Sequence, residues 1–222
     1  ACRVVNAALS WYNISSCRTC AAGCHVPRYF LNKTPAVGVL IAGDEVSSVA
    51  RFRLYIWSGN KRKVFVTAAK AKRQDLEVTG SAPQWQTDWT SDYITSSGFD
   101  LYAFKTVEGE LVALGAYEVR NGTMGVHVVY MESQAQSNPT LVETPKYGGI
   151  GRALVAYGIK LSVDAGFNGD VTLDAKTPEL ARHYERDFGA VRLPSRESSA
   201  APRYMICDEA ARVIFTDYLE EG

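Results

Sequence analysis

The chain contains no apolar run long enough to span a bilayer, and no membrane partner is expected. It carries no net charge, because 24 Lys and Arg offset 24 Asp and Glu. No global field therefore draws it to nucleic acid or to a lipid surface. The N-terminus has no basic region followed by a long apolar core, so no secretory signal is expected, and Ala1 reads as what remains after removal of an initiator Met. Five cysteines, an odd number in 222 residues, do not make a disulfide framework. These absences point to a cytoplasmic protein with mostly reduced thiols. There is no internal repeat and no long low-complexity tract, which excludes solenoids and disordered arrays.

What is present is ordinary globular material, 46% hydrophobic and 22% charged, long enough for one large domain or two small ones. Cys17, Cys20, Cys24 and His25 have a spacing that suits zinc, but a second ligand knuckle is missing and adjacent Cys24 and His25 ligate together only awkwardly. Reduced thiols are the preferred reading, and no metal site is expected. Val37 to Ile41 fits a buried strand. Ser47 to Trp57 and Lys63 to Thr67 read as strands joined by a turn at Ser58-Gly59-Asn60. The segment from Arg51 to Arg73 holds eight basic residues and no acidic one, a pattern that suits a guarded sheet edge better than a nucleic-acid surface. Trp85, Trp89 and Tyr93 recur every four residues, which predicts one helix face packed on the core or lining an acceptor pocket.

From Phe99 the pattern sharpens. Leu101 to Val107, Leu111 to Val119 and Met124 to Met131 read as an antiparallel meander, with turns at Glu108-Gly109 and Asn121-Gly122. A polar loop from Ser133 to Pro145 follows, in which Asn138 is a candidate for positioning the loop. Next comes Lys146-Tyr147-Gly148-Gly149-Ile150-Gly151-Arg152. Glycines there let backbone amides approach a ligand, and the helix behind them points its positive end the same way, an arrangement that suits a diphosphate. That helix has Ile150, Leu154, Tyr157 and Leu161 at core-facing spacing and Gly166 past its end. Val171 to Ala175 is a strand. Thr177-Pro178 is an N-cap and N1 pair opening a helix with Leu180, Tyr184 and Phe188 on one face and Gly189 at its stop. Val191 to Leu193 and Tyr204 to Cys207 read as strands. Asp208 caps a final helix whose Val213, Ile214 and Tyr218 face inwards.

Three features in this order carry a resemblance to the GNAT superfamily of acetyl-CoA-dependent N-acetyltransferases over about residues 99 to 208. Lys146-x-x-Gly149-x-Gly151 resembles the family's Gln/Arg-x-x-Gly-x-Gly/Ala acyl-CoA loop except at its first position. The helix from Gly151 to Phe167 follows it. Tyr184-Glu185-Arg186-Asp187-Phe188-Gly189-Ala190 looks like the family's Tyr-x-x-x-Gly-Phe element with its last two residues rearranged.

The resemblance implies an α+β fold, a mixed central sheet flanked by helices, with acetyl-CoA as co-substrate and an amine as acceptor. It places Lys146, Tyr147, Gly148, Gly149, Ile150, Gly151 and Arg152 around the CoA pyrophosphate. An amide near Tyr130 or Met131 would lie on the thioester carbonyl. Glu132 would be the general base, with Glu118 and His127 as alternatives, and Tyr184 would protonate the departing thiolate. Changes outside the glycine loop, Lys176 among them, are expected to matter little. Residues 1 to 95 map poorly on the family's opening elements. They are read as a divergent β-rich region that could bind the acceptor or a macromolecular partner, and 96 to 222 as the acyl-CoA domain. The rival reading is a catalytically inactive binding or structural protein on the same scaffold.

Overall fold

A computed structural model describes residues 50–119, 125–194 and 201–220. The Cys17, Cys20, Cys24 and His25 cluster, the strand expected at Val37 to Ile41 and the Asn121-Gly122 turn lie outside the described residues.

Strand β1 (Arg51–Phe52) pairs antiparallel with the last strand, β11 (Leu219–Glu220), as a small separate ribbon. The basic hairpin follows as β2 (Tyr55–Ser58) and β3 (Lys63–Lys70), turned at Ser58 to Lys61. A short helix α1 (Arg73–Glu77), irregular chain and α2 (Asp92–Thr95) lead into the meander β4 (Asp100–Thr106), β5 (Leu111–Val119) and β6 (Val126–Ser133). The glycine stretch forms a two-residue strand β7 (Tyr147–Gly148) and then α3 (Ile150–Asp164). Strand β8 (Val171–Asp174), α4 (Pro178–Phe188), β9 (Val191–Arg192), β10 (Arg203–Ile206) and α5 (Asp208–Thr216) complete the order.

Nine strands form one sheet in the order β7-β2-β3-β4-β5-β6-β8-β10-β9. The sheet thus runs across the boundary expected near residue 95, since β2 and β3 extend the meander edge to edge. Neighbours are antiparallel throughout except β6 and β8, which run parallel. Parallel pairing requires a crossover, and α3 supplies it over one face of the sheet.

The two faces are covered differently. On one, α3, α4 and α5 bury Val126, Val128, Leu173 and Tyr204 in a core that reaches Tyr117 and Phe104. On the other, Leu76, Trp85, Trp89 and Ile94 cover Ala103, Leu114 and Ala116. That second cover extends only as far as β6. The three aromatics expected on one helix face do not share one. Only Asp92–Thr95 is helical, Trp85 and Trp89 are buried from irregular chain, and Tyr93 is 64% exposed. Asp88 turns the chain within that span, its carboxylate accepting from the Thr90 amide and hydroxyl.

Helix α3 is buried on more than one side, with Val155, Ala156 and Ile159 wholly enclosed and Tyr157 and Leu161 only partly so. The expected stripe through Ile150 and Leu154 is therefore the edge of a wider buried face, because both the sheet and α5 press on this helix. The N-cap at Thr177, whose hydroxyl accepts from the Leu180 amide at 3.3 Å, and the left-handed Gly189 that ends α4 match expectation. In α5 the cap is Cys207, with Asp208 as the first helical residue, and Val213 is exposed while Ala211 and Ile214 face the core.

Candidate functional site

Two irregularities in β6 create the site. Ala116 opposes Tyr130 while Tyr117 opposes Val128, so Val129 is an extra residue and β6 carries a bulge there. Pairing of β6 with β8 runs only from Val126↔Val171 to Val128↔Leu173, although β6 itself continues to Ser133. A bulge bends its strand and increases local twist. From Val129 onward the bulged β6 makes no further pair with β8, which itself ends at Asp174, and this unpaired end of the two strands is the splay. Just before the splay the strands are very close. A Cβ at Gly125 would lie 2.3 Å from the Asp170 carbonyl oxygen, and the Val126 amide donates to that oxygen at 3.0 Å.

One end of the splay faces the glycine loop. Gly149, at φ +76°, is the N-cap of α3 and has no side chain with which to cap it. The Gly149 carbonyl accepts from Ala153, while the amides of Ile150, Gly151 and Arg152 precede the first intrahelical bond. A Cβ at Gly148 or Gly151 would meet nothing within 4 Å, so no neighbouring atom crowds the loop at those two positions. Gly149 itself is backed by the Trp57 indole, whose Cδ1 lies 3.1 Å from an added Cβ. Trp57 pairs its backbone with Gly148, a contact that residue spacing could not reveal because it joins distant strands.

The expected phosphate-binding cations are differently placed. Lys146 Nζ lies 2.6 Å from Glu110 Oε1, and the Tyr147 hydroxyl donates to Glu110 Oε2 at 2.8 Å. Burial would raise the Glu110 carboxyl, but hydrogen bonds from Lys146, Tyr147 and Gln134 outweigh it and hold it below the usual range. Arg152 donates to Asp217 through Nε and Nη2. Backbone amides are thus the groups free to hold a pyrophosphate, and the donor set fits one.

A cavity of about 550 Å³ lies against β5, β6, β8 and β10 and reaches Tyr130 and Lys176 past the last β6–β8 pair. Its floor follows from the register. Glu118, His127, Thr172 and Met205 are cross-strand partners on β5, β6, β8 and β10, and Asp174 and Arg203 are partners one step on. Burial would raise the Asp174 carboxyl, but the Arg203 hydrogen bonds of 2.7 and 2.9 Å and the nearby charges of Arg203, His127 and Lys176 together hold it low. His127 Nδ1 is 3.0 Å from Thr172 Oγ1, and its Nε2 is 3.7 Å from Asp174 Oδ2. Burial, with the Arg203 charge behind it, lowers the His127 pKa, so the imidazole is neutral near pH 7. Lys176 also lines this cavity.

Glu132, the expected base, is occupied elsewhere. It is 8% exposed and accepts from the amides of Gln86 and Thr87 at 2.5 and 3.1 Å and from the Trp89 indole at 2.9 Å. Both oxygens are committed to holding the 85–89 segment on the sheet, and the residue lines no part of the cavity. Asn138 positions its loop as expected. Its Oδ1 accepts from the Thr140 amide and hydroxyl, and its Nδ2 donates to Gln86. Met131 packs against the core on the α3 side.

Tyr184 is 4% exposed, between Phe188 and Tyr204 with ring centroids 6.2 Å away in each case. Its hydroxyl makes no hydrogen bond, yet no fully buried side-chain polar atom among the described residues lacks a partner. The residual exposure therefore includes the hydroxyl. Burial, then the Asp174 charge, pushes its pKa up to about 12, so it keeps its proton.

The sequence matches no family model, and no curated protein matches it. Solved structures do. A GNAT-family acetyltransferase from Listeria monocytogenes is 13% identical, with 68% of this chain and 98% of that chain covered at a TM-score of 0.41. A GNAT-family acetyltransferase from Staphylococcus aureus is 11% identical over 64% and 98% of the two chains, at 0.42. A spermidine N-acetyltransferase chimera drawing on Vibrio cholerae is 11% identical over 67% and 98%, at 0.43. The GNAT-like character of the fold is read from the molecule itself. It lies in the meander, the glycine loop opening the crossover helix, and the parallel pair that splays behind a bulge.

Proposed function

We propose that this protein is an acetyl-CoA-dependent N-acetyltransferase in which an amine attacks the thioester directly. One observation carries the reading: the β6–β8 splay has uncapped helix amides at one side and a cavity holding a neutral imidazole at the other.

Bound acetyl-CoA supplies an acyl group already activated as a thioester. The amides of Ile150, Gly151 and Arg152 hold the pyrophosphate, with Gly148, Gly149 and Gly151 giving it room and Tyr147 and Lys146 fixing the loop through Glu110. The β6 backbone from Val129 to Met131, released from β8, receives the extended arm and offers an amide to the carbonyl oxygen. His127 takes the proton that the acceptor ammonium must lose. The nitrogen–carbon bond forms as the carbon–sulfur bond breaks, the Tyr184 hydroxyl gives its proton to the leaving sulfur, and the second proton that the nitrogen sheds on becoming an amide returns Tyr184 to its neutral form.

Calorimetric titration with acetyl-CoA tests the reading, with Gly149→Asp as the control. A carboxylate there would sit against Trp57 in a left-handed backbone and oppose the phosphates. Binding in the micromolar range, about −8 kcal/mol, that the variant loses is the expected result. Absence of binding by the folded parent chain would overturn it.

A further inference from the structure

The cavity offers an acceptor an uneven set of groups. Most of its charge is already spent. Asp174 is held by Arg203 through two hydrogen bonds, and Glu118 has a partner of its own. Lys176 differs. Its Nζ lies 4.3 Å from the Tyr130 ring centroid, and among the described residues no carboxylate lies within ion-pair distance of it. It stands two residues beyond Asp174, past the last β6–β8 pair, and its ammonium lines the cavity over Tyr130 of β6.

Beside it stands an aromatic wall. Tyr93 is edge-on to both Phe99 and Tyr130, with centroids 6.2 Å apart in each pair. Tyr93 is 64% exposed, so its ring has surface left for a ligand. On the far side Leu193 and Met205 add apolar lining.

A polyamine fits this arrangement badly. Among the described residues its ammonium groups would face a lysine with no ion-pair partner and find no carboxylate without one. An amine that carries its own carboxylate and an apolar body fits well. The carboxylate would meet Lys176, the body would lie on the aromatic wall, and the nitrogen would fall near His127. We propose that the acceptor is an apolar α-amino acid, aromatic ones foremost, acetylated on its α-nitrogen. The proposal rests on the acyltransferase reading above. One proton of the amino acid's ammonium passes to His127, the acetyl group leaves sulfur for nitrogen, the thiolate takes its proton from Tyr184, and the second proton shed by the nitrogen as it becomes an amide restores Tyr184.

The two readings separate in a product-binding experiment that needs no CoA. The full chain is titrated by calorimetry with N-acetylphenylalanine, with the neutral N-phenethylacetamide, and with N-acetylspermidine. The acid is expected to bind about tenfold more tightly than the neutral amide. Lys176→Met, which keeps the apolar stem, is expected to bring the two within about threefold. Equal affinities in the parent chain, tighter binding of the spermidine derivative, or no binding of the acid would each overturn the proposal. Acetyl-CoA titrated into the same sample reports on the other reading. A chain that binds acetyl-CoA and ignores the acid keeps the acetyltransferase function and loses this acceptor. One that binds the acid and not acetyl-CoA keeps the amino-acid pocket and loses the enzyme.

Discussion

At the scale of single residues, position in the sheet sorts the candidate acid and base more sharply than residue type does. Glu132 and His127 lie five positions apart on β6, yet one has both oxygens committed to donors of the 86–89 segment and the other faces the cavity. The His127 pKa is depressed in the fold, so its protonation sets an acid limb. The kcat/KM for an amine acceptor is expected to fall as pH drops below a value itself lower than 6.5, and a pH–rate series on the parent and on His127→Gln checks it. The stability sign agrees. A group with a depressed folded pKa contributes stability that is present in full above 6.5 and lost as pH falls through the folded value, and His127→Gln should flatten that part of a Tm-against-pH curve. Tyr184→Phe removes a hydroxyl that has no hydrogen bond to lose, so thermal stability should change by less than about 0.5 kcal/mol. Turnover should fall about 100-fold if the hydroxyl delivers the proton. Unchanged turnover would leave Tyr184 as core packing.

At the scale of elements, the segment between α1 and β4 depends on a single carboxylate. Glu132 ties Gln86, Thr87 and Trp89 to β6, and Trp89 is wholly buried. Glu132→Ala would leave a buried indole N–H and two amides without an acceptor and should cost about 2–4 kcal/mol, measured by denaturant unfolding. The expectation of a base at this position would instead have the variant fold normally and fail in catalysis, so the two measurements decide between the roles. The approach of β6 to β8 is the second element-level constraint. Gly125→Ala puts a Cβ against the Asp170 carbonyl, and either the strands separate or the chain is destabilised by about 2 kcal/mol or more. Such a variant should also lose acetyl-CoA affinity, because it would shift the paired segment from which the splay departs.

At the scale of the whole molecule, acetyl-CoA would bridge the α3 terminus and the β6–β8 splay, which the crossover brings together. A ligand that binds the folded chain alone adds about 2.7 kcal/mol at a hundredfold excess over Kd. For a chain of this length that is roughly 5–10 °C in Tm by scanning calorimetry. Gly149→Asp should show no such rise. The sequence by itself determined what local chemistry controls. The meander from Phe99 is legible through alternation and turn residues, and α4 through Thr177, Pro178 and Gly189. The glycine loop shows itself because uncapped amides need small residues in sequence. Only the tertiary structure decided what depends on which distant residues become neighbours. The bulge at Val129 has no residue signature, yet it makes the splay. Trp57 reaches Gly149 only because β2 pairs with β7. Glu110 takes Lys146 because the β4–β5 turn lies beside the glycine loop. Glu118, His127, Thr172 and Met205 form one row because four strands align in register, and no spacing along the chain encodes that row.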